Sequence, residues 1–176
     1  MINRKAQVWV ETVLYTLIGL ALIGVVLAFV MPKINSTKDK LAVEQTTESL
    51  NTLASTMDII PGNVRIVDFT MKRGSMTIDS PNDRIIFLFD DLSSPYSEIG
   101  QKIPQGQLVI ETEKGQKYYS VTLTLDLKGK YDIRYKDENV THKFTASSVP
   151  YKIQLTAESA DNESAGLEVM SIDEIS

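Results

Sequence analysis

Residues 7–31 read QVWVETVLYTLIGLALIGVVLAFVM, and no charged side chain occurs within residues 12–31. A helix needs about 20 predominantly apolar residues to cross the hydrocarbon core of a bilayer, so this stretch predicts a membrane-spanning helix. Glu11 stands directly before the uncharged run. A charge there costs about 2–3 kcal/mol or less, depending on its depth, so Glu11 indicates a functional carboxylate.

The segment before the apolar run differs from an ordinary secretory signal. Such a signal has an apolar core of about 7–15 residues followed by a small-residue cleavage site. Here the run is longer, MPK follows it at residues 31–33, and RKA precedes it at residues 4–6. The combination of RKA with Gln7 and Glu11 resembles the leader of type IV prepilins of the archaeal kind, although Trp9 stands where that pattern usually has serine.

The resemblance implies how the chain is processed and divided. A membrane peptidase would cut between Ala6 and Gln7, so that Glu11 becomes the fifth residue of the mature protein. Three parts follow: a cleavable leader (residues 1–6), a transmembrane and filament-core helix (7–60) and a β-rich outer head (61–176).

Glu11 has two interpretations. In the family that the leader resembles, the N-terminal helices leave the bilayer and pack in a central bundle, where a carboxylate needs a partner. The amine of Gln7 created by cleavage would supply that partner. The alternative is that Glu11 reaches the lipid headgroups at the end of an ordinary membrane anchor.

Downstream of the span, the sequence predicts that the same helix continues to residue 60. Pro32 removes a helical hydrogen bond at a cost of about 3 kcal/mol, so the helix either bends there or breaks and restarts after Asn35. A bend is favoured because the helical period resumes at once. The apolar stripe is predicted to contain Leu41, Leu50, Leu53, Met57 and Ile60. The solvated face is predicted to contain Lys38, Asp39, Lys40, Glu44 and Glu48.

Beyond the turn residues Pro61 and Gly62, the apolar period changes to two, which is typical of strands. Alternation is clearest at residues 67–71, 121–127, 131–135 and 153–157, and residues 85–89 read as a central strand buried on both faces. Eight or nine short strands predict an antiparallel sandwich or barrel. The expected fold class is therefore α+β, a long N-terminal helix followed by an antiparallel, Ig-like β-sandwich head. Residues 90–107, rich in Pro and Gly, are predicted to form a long irregular loop.

Composition argues against several functions. The formal net charge is −5, and removal of Arg4 and Lys5 leaves 16 basic against 23 acidic residues, or −7. An acidic exterior disfavours nucleic-acid binding. The chain has no cysteine, and His142 is its single histidine, so thiolate metal sites and most catalytic triads lack members. We therefore expect no cofactor, no metal and no enzymatic activity.

Three Asn-x-Ser/Thr sequons occur, at Asn35, Asn139 and Asn162. In an exported protein such sequons accept N-linked sugars, so these asparagines are candidate glycosylation sites. Asn35 is the least favourable of the three if its helix is packed inside a filament.

The sequence as a whole predicts a structural pilin at the cell surface, inserted in the membrane before it polymerises into an adhesive filament. The resemblance implies four partners: copies of the chain itself, a prepilin peptidase, a cytoplasmic assembly ATPase and a polytopic platform protein. Two alternatives remain. One is an archaellin, the subunit of a swimming filament, and the other is a membrane-anchored extracellular binding domain that never polymerises.

Overall fold

The computed structural model describes residues 4–60, 63–159 and 166–175. These residues form one long helix, ten strands and a single 3₁₀ turn, Ser80–Asn82. The helix, α1, comprises Arg4–Met57. The strands are β1 Val64–Phe69, β2 Ser75–Asp79, β3 Arg84–Leu92, β4 Lys102–Gln105, β5 Leu108–Lys114, β6 Tyr119–Asp126, β7 Tyr131–Tyr135, β8 Thr141–Thr145, β9 Tyr151–Glu158 and β10 Glu168–Ile175. The chain is thus α+β, as predicted.

Helix α1 continues through Pro32 without a break, so the alternative of a helix that stops and restarts is wrong. The proline deprives only the carbonyl of Ala28 of its usual partner. The helix ends at Met57, three residues earlier than predicted, where backbone bonds from Asp58 to Ala54 and from Ile59 to Thr56 close its last turn.

The apolar stripe of α1 is only partly the predicted one. Leu50, Leu53, Met57 and Ile60 are buried, but Leu41 is 50% exposed. Leu41 precedes Leu50 by nine residues, which is about two and a half helical turns, so the two side chains point in opposite directions. The buried stripe is instead continued by Val43, Thr47 and, contrary to the predicted solvated face, Asp39.

The larger sheet has six strands in the order β4-β5-β6-β3-β2-β8, and all of its pairs are antiparallel. Strand β3 lies inside this sheet, as predicted. Only one of its faces is fully buried, however, because Ile85, Phe87 and Phe89 are buried while Ile86 and Leu88 are half-buried. On the buried face Phe87 pairs with Met76 of β2 and Leu123 of β6, which gives a continuous apolar row.

The smaller sheet has four strands in the order β1-β9-β10-β7. Two of its pairs are antiparallel, but β10 and β7 are parallel, with Met170 opposite Ile133. The prediction of purely antiparallel pairing was therefore wrong for this pair. Parallel strands need a long connection. Here the chain between β7 and β10 forms β8 in the larger sheet and β9 in the smaller sheet, and β10 then pairs with β7.

The chain divides into two compact units, one up to Lys38 and one from Asp39 onward. In the second unit, both sheets and the C-terminal part of α1 contribute to one hydrophobic cluster. Its helical members are Val43, Leu50, Leu53, Ala54, Met57 and Ile60. The last five turns of α1 are therefore part of the core of the β-rich unit.

The predicted long loop at residues 90–107 is wrong in extent. Strand β3 continues to Leu92, and residues 102–105 form β4, which pairs with β5 across a two-residue turn. Pro104 belongs to β4, which lies at the edge of its sheet, where a proline without an N–H is tolerated.

Candidate assembly and membrane segment

The apolar segment of α1 is exposed throughout. Eighteen large apolar side chains between Val8 and Ile34 are at least 38% exposed, and Trp9, Tyr15 and Phe29 are each about 70% exposed or more. In the described parts of the chain, one helix is long and apolar enough to cross a bilayer, and this segment supplies its most apolar window. A long apolar N-terminal helix of this kind indicates membrane association or a signal sequence.

Two threonine hydroxyls inside this segment are bonded to the backbone of the preceding turn. Thr12 donates its hydroxyl to the carbonyl of Val8 at 2.9 Å, and Thr16 donates to the carbonyl of Thr12 at 2.8 Å. Such bonds to the preceding turn remove the cost of placing a hydroxyl among hydrocarbon chains. The segment can therefore face lipid or apolar side chains of other helices.

The predicted processing and assembly residues lie at the start of this helix. Ala6 and Gln7 belong to the first two turns of α1, and Glu11 lies one turn further on with an exposed side chain. Residues 1–3 of the predicted leader lie outside the described residues. Glu11 follows Gln7 by four positions, which is about one turn of the helix.

The three sequons differ in their surroundings. Asn35 is exposed within α1, and Asn139 is exposed two residues after the turn formed by Lys136 and Asp137. These two turn residues have φ values of 53° and 61°, as a tight two-residue hairpin turn requires. Asn162 lies outside the described residues.

His142 is part of an aromatic cluster between the two sheets. Its ring stacks on Tyr135 of β7 with centroids 3.9 Å apart and meets Phe144 edge-on at 4.7 Å. In the portion of the chain that the structure describes, no group of three or more His, Cys, Asp or Glu side chains could hold a metal ion. The His142 ring packs against aromatic side chains of both sheets.

A buried polar cluster around Asp39 was missed by sequence reasoning. Arg73, before β2, donates from Nη1 to Asp39 Oδ1 at 2.6 Å and from Nη2 to Asp91 Oδ1 at 2.8 Å. Ser93, after β3, donates both its backbone N–H and its hydroxyl to Asp39 Oδ2. Burial alone would raise the pKa of Asp39, but the hydrogen bonds from Ser93 and Arg73 outweigh it and lower that pKa below its ordinary value.

The end of α1 is fixed by a second polar cluster. Lys130 Nζ lies 2.5 Å from Asp58 Oδ1, and the hydroxyl of Tyr131 donates to the same oxygen at 3.2 Å. The hydrogen bond from Lys130 lowers the pKa of Asp58. Burial, followed by the nearby charge of Asp58, raises the pKa of Tyr131 to about 12.

Between these two clusters, Asn51 of α1 holds the turn that joins β4 and β5. The backbone N–H of Gln107 donates to Asn51 Oδ1 at 2.9 Å. Gly106 has a φ of +66°, and a Cβ at this position would lie 2.4 Å from Asn51 Oδ1. Glycine is therefore favoured here by the positive φ, and an added Cβ would displace the Asn51 amide from its hydrogen bond to Gln107.

One sequence signal could have revealed the Asp39 cluster. Asp39, Val43 and Thr47 are spaced by four residues and lead into Leu50 and Ala54, which is the buried stripe. A lone acid on an apolar stripe implies a basic partner from elsewhere in the fold.

Comparisons with protein-family models, curated proteins and solved structures find no match to this chain.

Proposed function

We propose that this chain is a structural subunit of the pilin type, which polymerises through the N-terminal part of α1 into an extracellular filament. The observation that carries the proposal is the exposed apolar segment that begins within one turn of Glu11 and follows the basic sequence RKA. We assign the protein a structural role without a cofactor, and adhesion is the use we propose for the filament.

The exposed segment supports association of some kind on energetic grounds. Soluble monomers rarely expose contiguous apolar patches of more than a few hundred Å². Eighteen large apolar side chains are involved here. Burying even half of their exposed surface stabilises the buried state by on the order of 20 kcal/mol. A bilayer supplies that environment to the precursor, and neighbouring helices of the same kind supply it in a filament.

Glu11 gives the proposal its specific chemistry. Cleavage between Ala6 and Gln7 creates a positively charged amine that is absent from the precursor. In a bundle of N-terminal helices, that amine on the same or a neighbouring copy pairs with the Glu11 carboxylate, which offsets the cost of burying either charge alone. The prepilin peptidase is therefore a required partner, and the assembly ATPase and platform protein extract the cleaved subunit from the membrane.

We further propose that the head is an Ig-like sandwich that coats the outside of the filament. In support, the four-stranded and six-stranded sheets contribute to one hydrophobic cluster. The head surface also carries the exposed Asn139, which we propose as a glycosylation site together with Asn162 and, less favourably, Asn35. A mass spectrum of the native protein without added hexose would remove this part of the proposal.

The decisive experiment combines two measurements on native material. N-terminal sequencing of the protein from purified surface appendages is expected to begin at Gln7, and electron microscopy is expected to show filaments made of this chain. A chain that retains Met1 and stays in the membrane fraction would contradict the proposal and favour the anchored binding domain. Filaments that are rotated by a motor would identify an archaellin.

A further inference from the structure

Helix α1 carries a shallow groove in the unit that ends at Lys38. Its volume is about 470 Å³. Two neighbouring rows of side chains, each with a spacing of four residues, form its walls: Phe29, Lys33 and Thr37 on one side and Val30, Ile34 and Lys38 on the other. Along the helix axis the lining changes from apolar to basic.

The groove is positively charged and has no acidic residue of its own. Between Glu11 and Asp39 the only charged residues are Lys33 and Lys38. Asp39, the next acid, is held by hydrogen bonds from Arg73. Among the ion pairs of the described residues, neither lysine takes part. The groove is thus complementary to an anionic group attached to an apolar body.

The position of the groove along the helix identifies that ligand. At 1.5 Å per residue, residues 12–31 span about 30 Å, the thickness of a bilayer hydrocarbon core. When these residues lie in the core, Lys33 and Lys38 reach the phosphate level of the leaflet opposite the leader. Phe29, which is 78% exposed, then lies beside the acyl chains.

We propose that this groove binds one anionic phospholipid, whose phosphate contacts Lys33 and Lys38 and whose acyl chain lies along Phe29, Val30 and Ile34. The inference rests on the membrane-inserted precursor of the proposed function, but it requires neither cleavage nor polymerisation. It also gives a role to two lysines that lie on the outer side of the membrane, where basic residues do not favour the expected topology.

The test uses the full-length precursor in nanodiscs that contain equal amounts of phosphatidylglycerol and phosphatidylcholine. Native mass spectrometry measures the ratio of the two lipids in complexes with one bound lipid. Each lysine near an anionic headgroup contributes about five-fold. We therefore expect phosphatidylglycerol to be preferred at least about five-fold, and the preference to fall when the nanodiscs are prepared at high salt.

The variants separate the groove from general electrostatics. The double variant Lys33→Gln/Lys38→Gln is expected to lower the preference for phosphatidylglycerol at least about five-fold, and Arg4 and Lys5 before the span account for the preference that remains. Lys40→Gln is the matched control, because Lys40 lies outside the groove with its ammonium 3.9 Å from Glu44, and it should keep the preference. A wild-type ratio near one, or an unchanged ratio in the double variant, would overturn the inference.

The outcome is independent of filament formation. A lipid preference in a chain that never forms filaments would leave this inference standing while the proposed function fails. Filaments built from a chain that shows no lipid preference would support the proposed function and overturn this inference. If the double variant abolishes filaments and the wild type shows no lipid preference, the two lysines act in assembly and not in lipid binding, and the inference is wrong.

Discussion

Asp39 and Arg73 are 34 positions apart in the sequence, and they form an ion pair with an N–O distance of 2.6 Å. The Asp39 side chain is 8% exposed, and both of its oxygens accept hydrogen bonds, since Ser93 donates to the oxygen that Arg73 leaves open. The pair connects α1 to the turn before β2. It therefore fixes the helix from Asp39 onward to the β-rich unit through polar contacts as well as through the apolar core.

Replacement of Asp39 by Asn is expected to destabilise the β-rich unit. The change replaces the charged acceptor of Arg73 and Ser93 by a neutral amide, while Arg73, whose side chain is 35% exposed, keeps its bond to Asp91, so the loss should be about 2 kcal/mol. Urea unfolding of the full chain in detergent, followed by near-UV circular dichroism of the tyrosines, measures the loss. Asp91→Asn is the matched control, because Asp91 binds the same arginine but its side chain is 55% exposed. A cost above about 1 kcal/mol for the control would contradict the assignment of the stability to Asp39.

Stability is expected to fall in acid, beginning near pH 4. Asp39, Asp58 and Asp79 all have pKa values below the ordinary 3.8 in the folded chain. As the pH falls, the unfolded chain takes up these protons first, so the stabilisation present above pH 3.8 is lost as the pH passes down through the folded-state values. Unfolding free energies measured from pH 6 to pH 2 test this, and Asp39→Asn should make the decline shallower.

The pKa of Asp173 is shifted in the opposite direction to those of Asp39, Asp58 and Asp79. Burial, followed by the charge of Asp137, raises the pKa of Asp173, so protonation of this group stabilises the folded chain as the pH falls. Asp173→Asn removes that opposing contribution and should make the acid decline steeper than in the wild type. An equal slope in the two proteins would show that the carboxylate of Asp173 is not perturbed in solution.

The helix and most strands could be predicted because local pattern determines them. Each pattern reports on a single element of the fold. Examples are the 20-residue uncharged run and the alternation at residues 121–127 and 153–157. The parallel pairing of β10 with β7 has no such local signal. The pairing forms because β10 lies between β9 and β7 in the smaller sheet. That position is set by the assembled sheets and not by the sequence of β10 alone.

Asp39 is likewise held by partners that no local pattern in the sequence reveals. Between two lysines, it has the sequence context of a solvated helix surface, and it was predicted to be exposed. Its burial depends on Arg73 and Ser93, which lie 34 and 54 positions away. The four-residue spacing of Asp39, Val43 and Thr47 can indicate that Asp39 faces the core, but it cannot reveal which residues bind the carboxylate. By contrast, Ala6, Gln7 and Glu11 form a linear motif, so the candidate processing site could be read from the sequence alone.

Gly106→Ala is expected to destabilise the turn between β4 and β5 and its contact with α1. A Cβ at this position would lie 2.4 Å from Asn51 Oδ1, and the residue has a positive φ. The combined cost should be about 2–3 kcal/mol. Gly129→Ala is the matched control, because Gly129 has a φ of +77° but nothing lies within 4 Å of its added Cβ. Equal losses in the two variants, measured by urea unfolding, would show that strain alone acts and that the Asn51 contact does not.

Replacement of Glu11 by Gln tests the assembly chemistry directly. The amide keeps the size of the side chain but cannot form an ion pair with the new amine of Gln7, so insertion of the subunit into the helix bundle loses its charge-specific step. We expect at least a ten-fold drop in filament yield by electron microscopy, or about 1.4 kcal/mol or more in assembly free energy. Cleavage after Ala6 and the membrane level of the precursor should be unchanged, as immunoblots against the head would show. Glu48→Gln is the control, since Glu48 is also an exposed acid on α1 but lies in the β-rich unit. Undiminished filaments from the Glu11 variant would mean that this carboxylate only reaches the lipid headgroups, as in an ordinary membrane anchor.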